Sequence, residues 1–439
     1  MHGNDRSILA IAMTGHGMVH AFEMSIPVFL TYWMAAFEVG TGTMGTVVAV
    51  GYALFGIGAL PGGIAADVYG SKRLVMACLL GMGLAFLLLG FGGIVGLTAA
   101  LLLWGAAASL YHPSGLRLIS TGIEERGSAF AVHGMAGNLG ITLGPLVAVL
   151  LLLVLPWRAV AAAFAIPAIL AAIAVAFVDV DETAAVAGTD GAEADGGEPA
   201  GSDSSAPGSA GSESEDPGSG DPESAAPGTG DPPSIREIIA DTRLLFAGAF
   251  VLVFAIVILQ GFFYRGILTF LPEVLSDSPV LEPVVLLDRE VAPARYVYVA
   301  LLCVGMGGQY LGGTLSDRYP PERVAIGAFL LLAVLSLAFV PAATVGVAAL
   351  VGVSLLIGFV LFGEQPLMQA VVAEYTGSGD RGLAYGYMYL GTFGVGSIGA
   401  AVSGAVLAYT TQQALFVVLA LVPTAAAIAS AVLYRRGRG

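Results

Sequence analysis

Twelve apolar runs, each about twenty residues or longer, dominate this chain of 439 residues. A run of that length, rising 1.5 Å per residue as a helix, crosses the hydrocarbon of a bilayer. Only a helix or a closed barrel satisfies its own backbone there. Six runs lie at about 8–36, 42–66, 72–92, 94–120, 127–154 and 157–178, and six more at about 244–275, 295–316, 322–341, 344–370, 382–409 and 413–434. The composition agrees: 57% of residues are apolar and 11% charged, with a mean hydropathy of +0.86. A soluble domain has roughly 45–50% and 25%. The expected fold is an all-α membrane protein of twelve transmembrane helices in two six-helix bundles.

Between the sets lies 179–234, rich in Gly, Ser, Pro, Ala and acids, which buries too little apolar surface to offset ordering entropy and is expected to be a disordered linker. The stretch 179–241 holds 16 of the 32 acids and one base, Arg236, so the net charge of −15 belongs to it and the membrane body is neutral. No basic face for nucleic acid remains. The domains are thus 1–178, the linker, and 235–439. Among seventeen bases only Lys72 is a lysine, a composition that resembles proteins of salt-loving archaea. Cys78 and Cys303 stand alone, which excludes a disulfide framework. With both termini and the linker cytoplasmic, thirteen Lys and Arg fall inside and three outside, Arg158, Arg289 and Arg295. The positive-inside rule therefore orients the chain in the cytoplasmic membrane.

The halves echo each other. Span 2 ends in Gly63-Ile-Ala-Ala-Asp67 and span 8 in Gly313-Thr-Leu-Ser-Asp317; Tyr111-His112-Pro113 in span 4 answers Glu364-Gln365-Pro366 in span 10; Arg126-Gly127 opens span 5 and Arg381-Gly382 opens span 11. Three landmarks in the same order indicate a duplicated six-helix unit, and such repeats place a binding cavity at their interface.

The loop pattern Gly63-x3-Asp67-x2-Gly70-x-Lys72-Arg73, repeated as Gly313-x3-Asp317-Arg318 with Arg323 further on, resembles the signature of the major facilitator superfamily. In that family the loop latches one conformer, which implies that Asp67 faces the start of span 11 near Gly382; Val68 stands where the family has a base. Leu110-Tyr111-His112-Pro113, Gly137-Asn138-Leu139-Gly140 and Leu143-Gly144-Pro145 resemble the fosmidomycin-resistance type of efflux carrier. Gly140-x3-Gly144-Pro145 is also similar to the antiporter signature of span 5, with Ala148 and Val149 where that signature has paired glycines. These resemblances imply a secondary transporter switching by rocking of its bundles.

Ionisable groups inside a membrane are costly and mark function. His16, His20 and Glu23 share one face of span 1, with Glu23 ~22 Å along it, near or just past the midplane. A dry cavity favours neutral Glu23, as a proton carrier requires; a neutral Glu bonded between helices fits too. His16 and His20 either relay protons or are satisfied packing. His112 precedes Pro113 and lies at the depth of His133, so both contact solute or serve a bent helix; Glu364 has the same alternatives. Asn138, Gln260, Gln309 and Gln365 are polar lining. Arg265, after Phe262-Phe263-Tyr264, contacts an anion, partners Glu23 or snorkels to the headgroups.

No His-Glu-x-x-His motif and no cysteine accompany His16 and His20, so no metal is expected, nor a cofactor. The predicted function is proton-coupled efflux of a small organic solute by a monomer; uptake by symport is the alternative within transport. An enzyme lacks a nucleophile–base set, and a receptor or scaffold lacks folded soluble modules.

Overall fold

The computed structural model describes residues 3–185, 235–286, 289–377 and 381–437. All twelve apolar runs are helical. Span 1 is α1 (Gly3–Phe37); span 2 is α2 (Thr41–Ile57) and α3 (Ala59–Tyr69); span 3 is α4 (Ser71–Leu88); span 4 is α5 (Gly93–Ala108) and α6 (Tyr111–Gly122); spans 5 and 6 are α7 (Arg126–Leu152) and α8 (Trp157–Ala176). After α9 (Ile235–Phe246), span 7 is α10 (Phe250–Ser276) and span 8 is α11 (Pro293–Arg318). Spans 9 and 10 are α12 (Pro321–Val345) and α13 (Val347–Glu374); span 11 is α14 (Arg381–Tyr389) and α15 (Ile398–Tyr409) joined by irregular turns; span 12 is α16 (Gln412–Arg436).

Nine spans pass as membrane-crossing by length and composition, and α2 with α3, bent by 45°, make a tenth. The other two, spans 1 and 8, are the more polar ones: Asp5, Arg6, His16, His20 and Glu23 lie on the first, and Arg295, Gln309, Asp317 and Arg318 on the second. The second half of span 1 is buried among the other helices, from Phe22 to Leu30 and at Trp33. The periphery is apolar where the spans face out, as at Leu84, Ile166, Leu170, Val334, Leu421 and Ile428. A belt of this extent marks a lipid-contacting surface.

Four details differ from the sequence expectation. The linker's first residues, 179–185, lie against the first bundle: Asn4 accepts from the Asp181 backbone N–H at 2.9 Å, and the Glu182 carboxylate accepts from the N–H groups of Ser71 (2.7 Å) and Lys72 (3.1 Å). The rest of the linker, 186–234, lies outside the described residues. The loop after span 7 carries a two-stranded antiparallel hairpin, β1 (Val284–Leu286) with β2 (Arg289–Val291). Helix α9 precedes span 7 where no helix was predicted. Span 11 is interrupted by a π turn at Leu390–Gly394 and a 3-10 turn at Val395–Ser397.

Hydrogen bonds between the halves seal the side remote from the termini. Thr41 donates to the Gly404 carbonyl at 3.0 Å, Arg295 to the Tyr32 hydroxyl at 2.5 Å, and Tyr298 to the Met24 carbonyl at 3.1 Å. The central cavity lies on the terminal side of this seal.

Candidate functional site

Span 1 is seated on span 5 by small residues. A Cβ at Gly140 would strike the Gly17 backbone and one at Gly144 the Ala21 backbone, so the resemblance to the antiporter signature has a packing basis here. The close approach presents His16 against span 5, where its imidazole stacks on His133 with centroids 4.0 Å apart and Nδ1–H donates to the His133 carbonyl at 2.8 Å. Pro113 breaks the backbone bonding of span 4 near its bend, and the Ser114 hydroxyl donates back to the Leu110 carbonyl. Tyr111 and His112, just after the break between α5 and α6, are both buried. The Tyr111 hydroxyl donates to the Ala12 carbonyl, so His133 Nε2, 2.9 Å away, carries the proton of its own bond to Tyr111.

These groups and the second half enclose a cavity of about 360 Å³. His16, His20, His112, His133, Asn138, Gln260, Gln309 and Gln365 all line it. Gln309 donates to Gln365 at 3.0 Å. Sequence reasoning missed Tyr264, Gln369, Met388, Tyr389, Thr392 and Phe393, also on the wall. Gln369 carried a signal, standing one turn after Gln365. Thr392 and Phe393 belong to the π turn of span 11, a distortion that no periodicity reveals. Tyr389 stacks on His112 with centroids 4.9 Å apart.

Two residues expected on the wall are elsewhere. Arg265 is buried beside the cavity and forms an ion pair with Glu23 of the opposite half, which excludes snorkelling. Its guanidinium carbon lies 3.8 Å from the Tyr52 ring centroid and 5.1 Å from that of Phe393. His20 Nδ1 meets the other Glu23 oxygen at 2.7 Å. Glu23 is therefore not the solitary neutral acid that a dry cavity suggested. An Arg and a His satisfy its two oxygens, which holds it as the carboxylate. Glu364, the other exception, is fully buried off the wall, and neither oxygen has a hydrogen-bond partner among the described residues.

The latch residues occupy the terminal face. Asp67 pairs with Arg117 of span 4 at 2.8 Å, so the acid's ion-pair partner is in its own bundle. Leu60 of α3 lies against Gly386 near the start of span 11, which keeps the loop beside the element the family resemblance pointed to. Gly63 lies against Pro113, and Gly70 turns the chain with φ +86°, a backbone conformation that favours glycine. Lys72 and Arg73 open α4. In the second half Gly313 answers Gly63 against Pro366, while Asp317, Arg318 and Arg323 are exposed and enter no ion pair among the described residues. The counterpart of Arg117, four residues past the proline, is Ala370, so the second loop has no equivalent base at that place.

The expectation of no metal also changes. His112 joins His16 and His20, and one ring nitrogen from each lies within 4.8 Å of the others, a grouping suited to a metal ion. Residues of spans 1 and 4 are too distant in sequence for spacing to connect them.

Residues 11–368 and 294–439 match the family model of the Major Facilitator Superfamily. The chain belongs to that superfamily. Its all-α architecture is the transporter fold of that superfamily. A Na(+), Li(+), K(+)/H(+) antiporter of Planococcus maritimus is 33% identical over 135 residues, 29% of this chain and 31% of that protein. The puromycin resistance protein of Streptomyces alboniger is 40% identical over 103 residues, 23% and 20%. A probable actinorhodin transporter of Streptomyces coelicolor is 38% identical over 105 residues, 23% and 18%. The chain thus matches less than a third of the length of each of these relatives. Among solved structures, the nucleoside transporter NupG superposes with a TM-score of 0.68 at 13% identity, covering 98% of this chain and all of that one. A bacterial homologue of the lysosomal transporter Spinster, inward-facing and occupied, gives 0.69 at 12%, covering 99% and 98%. At these identities the likeness is one of fold.

Proposed function

We propose that this protein is a secondary transporter that exports a small organic solute across the cytoplasmic membrane in exchange for protons, working as a monomer by alternating access. The observation that carries the proposal is the polar cavity between the halves, closed on the side remote from the termini and crossed there by the buried Glu23–Arg265 pair. The excess of Lys and Arg on the terminal face supports a cytoplasmic location for that face, which puts the cavity where an exporter loads. Similarity to an antiporter, a puromycin resistance protein and a probable actinorhodin transporter supports exchange and efflux. The fosmidomycin-type pattern in spans 4 and 5 points the same way. The halves 1–178 and 235–439 rock about the solute, joined by the acidic linker.

The proton role passes from Glu23, His16 and His20 to Glu364. Glu23 already has a permanent cation beside it and serves as a tie between the halves. Glu364 is fully buried, and neither of its oxygens has a hydrogen-bond partner among the described residues. A carboxylate anion is too costly to bury alone, so Glu364 holds a proton in this conformation. Rocking that opens its surroundings to water releases the proton.

Proteoliposomes with an imposed pH gradient test this. Wild type drives a fluorescent organic substrate against its gradient as protons run the other way. Glu364→Gln, which keeps the neutral shape, loses uphill transport but retains substrate-for-substrate exchange. Unchanged proton-driven transport in that variant removes Glu364 from the coupling. Accumulation with the proton flux instead of against it shows uptake by symport.

A further inference from the structure

We propose that His16, His20 and His112 form a binding site for a divalent transition-metal cation of the zinc, cobalt or nickel class, open on one side to the cavity. The three rings make a near-equilateral cluster, with centroids 4.9 Å (His16–His20), 5.5 Å (His16–His112) and 5.5 Å (His20–His112) apart.

What singles the cluster out is the way each ring is held. His16 gives its Nδ1–H to the His133 carbonyl, so its Nε2 keeps a free lone pair. His20 gives its Nδ1–H to the Glu23 carboxylate, so its Nε2 is likewise free. An imidazole whose far nitrogen is fixed by a carbonyl or carboxylate is how metal-binding histidines are oriented. His112 supplies the independent observation. It is 6% exposed, and its Nε2 is buried without a hydrogen-bond partner among the described residues. Packing against Tyr389 accounts for the faces of that ring and leaves the nitrogen unsatisfied, a loss that a buried polar atom rarely bears.

Bonds of about 2.0–2.1 Å from a tetrahedral ion would place three such nitrogens roughly 3.4 Å apart. One ring nitrogen from each histidine already lies within 4.8 Å of the others, so metal binding would draw the three rings together. Three neutral nitrogen ligands select borderline transition metals over magnesium, calcium or sodium, which prefer oxygen. The fourth position faces the cavity and takes water or a donor atom of a bound solute, as in metal sites that keep one place open. Glu23 and Arg265 cancel each other's charge and act as the outer support of His20.

Cobalt(II) added to the untagged full-length protein in detergent is the test. The expected result is one ion per chain with the visible ligand-field bands of tetrahedral nitrogen coordination. His16→Ala, His20→Ala and His112→Ala each lower the affinity at least about tenfold, while His133→Gln retains the bands. Ions held by the acidic linker have oxygen ligands, lack those bands, and persist in all three variants. Absence of the bands at saturation, or bands that survive the triple substitution, overturns the proposal. X-ray absorption of the wild-type complex needs no variant: three imidazole ligands support the site, and fewer than three refute it. Because binding is read out, the result does not depend on whether the solute is exported or on what drives it.

Discussion

Glu23 on the first span and Arg265 on the seventh form an ion pair, both essentially buried, across the boundary between the two halves. They lie 242 residues apart in sequence. Removing one member leaves the other charge in a dry place without a counter-ion. Glu23→Gln is therefore expected to cost about 3–5 kcal/mol, and Glu23→Gln with Arg265→Gln less than the sum of the two single changes. Thermal unfolding in detergent, run as a double-mutant cycle, measures this. Additive costs would show that the pair is not a unit.

The Asp67–Arg117 pair sets a contrast. Its side chains are 48% and 28% exposed, so solvent screens it. Asp67→Asn should change stability by no more than about 1 kcal/mol. If the loop is the proposed latch, the substitution acts instead on the rate of conformational exchange. Comparing unfolding temperature with transport rate separates these, and a large stability loss with normal transport contradicts the assignment.

Gly140 carries the contact of span 5 with span 1. A methyl group there meets the Gly17 backbone, which cannot rotate away, so Gly140→Ala should destabilise by about 1–3 kcal/mol. Gly127, where an added Cβ meets nothing within 4 Å, is the control, and Gly127→Ala should be near neutral. Equal unfolding temperatures for the two variants would refute the close-packing account.

The start of the linker predicts a pH effect. Asp181 accepts from the backbone N–H and hydroxyl of Thr183, both at 2.9 Å, and these bonds hold its carboxyl below the usual range. A group depressed in the folded state contributes stability above its unfolded pKa and loses it as pH falls through the folded one. Hydrogen exchange of 179–185 should therefore show less protection on acidification through the carboxylate range, after correction for intrinsic rates. Glu182→Ala should remove the acceptor from Ser71 and Lys72 and cost about 1 kcal/mol locally. Unchanged protection of 71–74 in that variant would show the cap to be unimportant.

Sequence alone determined the spans and suggested their pairing into repeats. Lipid offers no partner for a backbone, so each crossing writes itself as a continuous apolar run, and a copied unit leaves matched landmarks such as Tyr111-His112-Pro113 and Glu364-Gln365-Pro366. The cost of polar groups in that setting also made most of the cavity wall legible, from His16 to Gln365. What the tertiary structure decided was who meets whom. Glu23 could be a lone acid or half of a pair until Arg265 arrived from the other bundle, and Glu364 could line the cavity until the packing buried it off the wall. The π turn that brings Thr392 and Phe393 inward, and the meeting of His112 with His16 and His20, depend on how helices cross, and crossing is set by contacts between residues that sequence spacing does not relate.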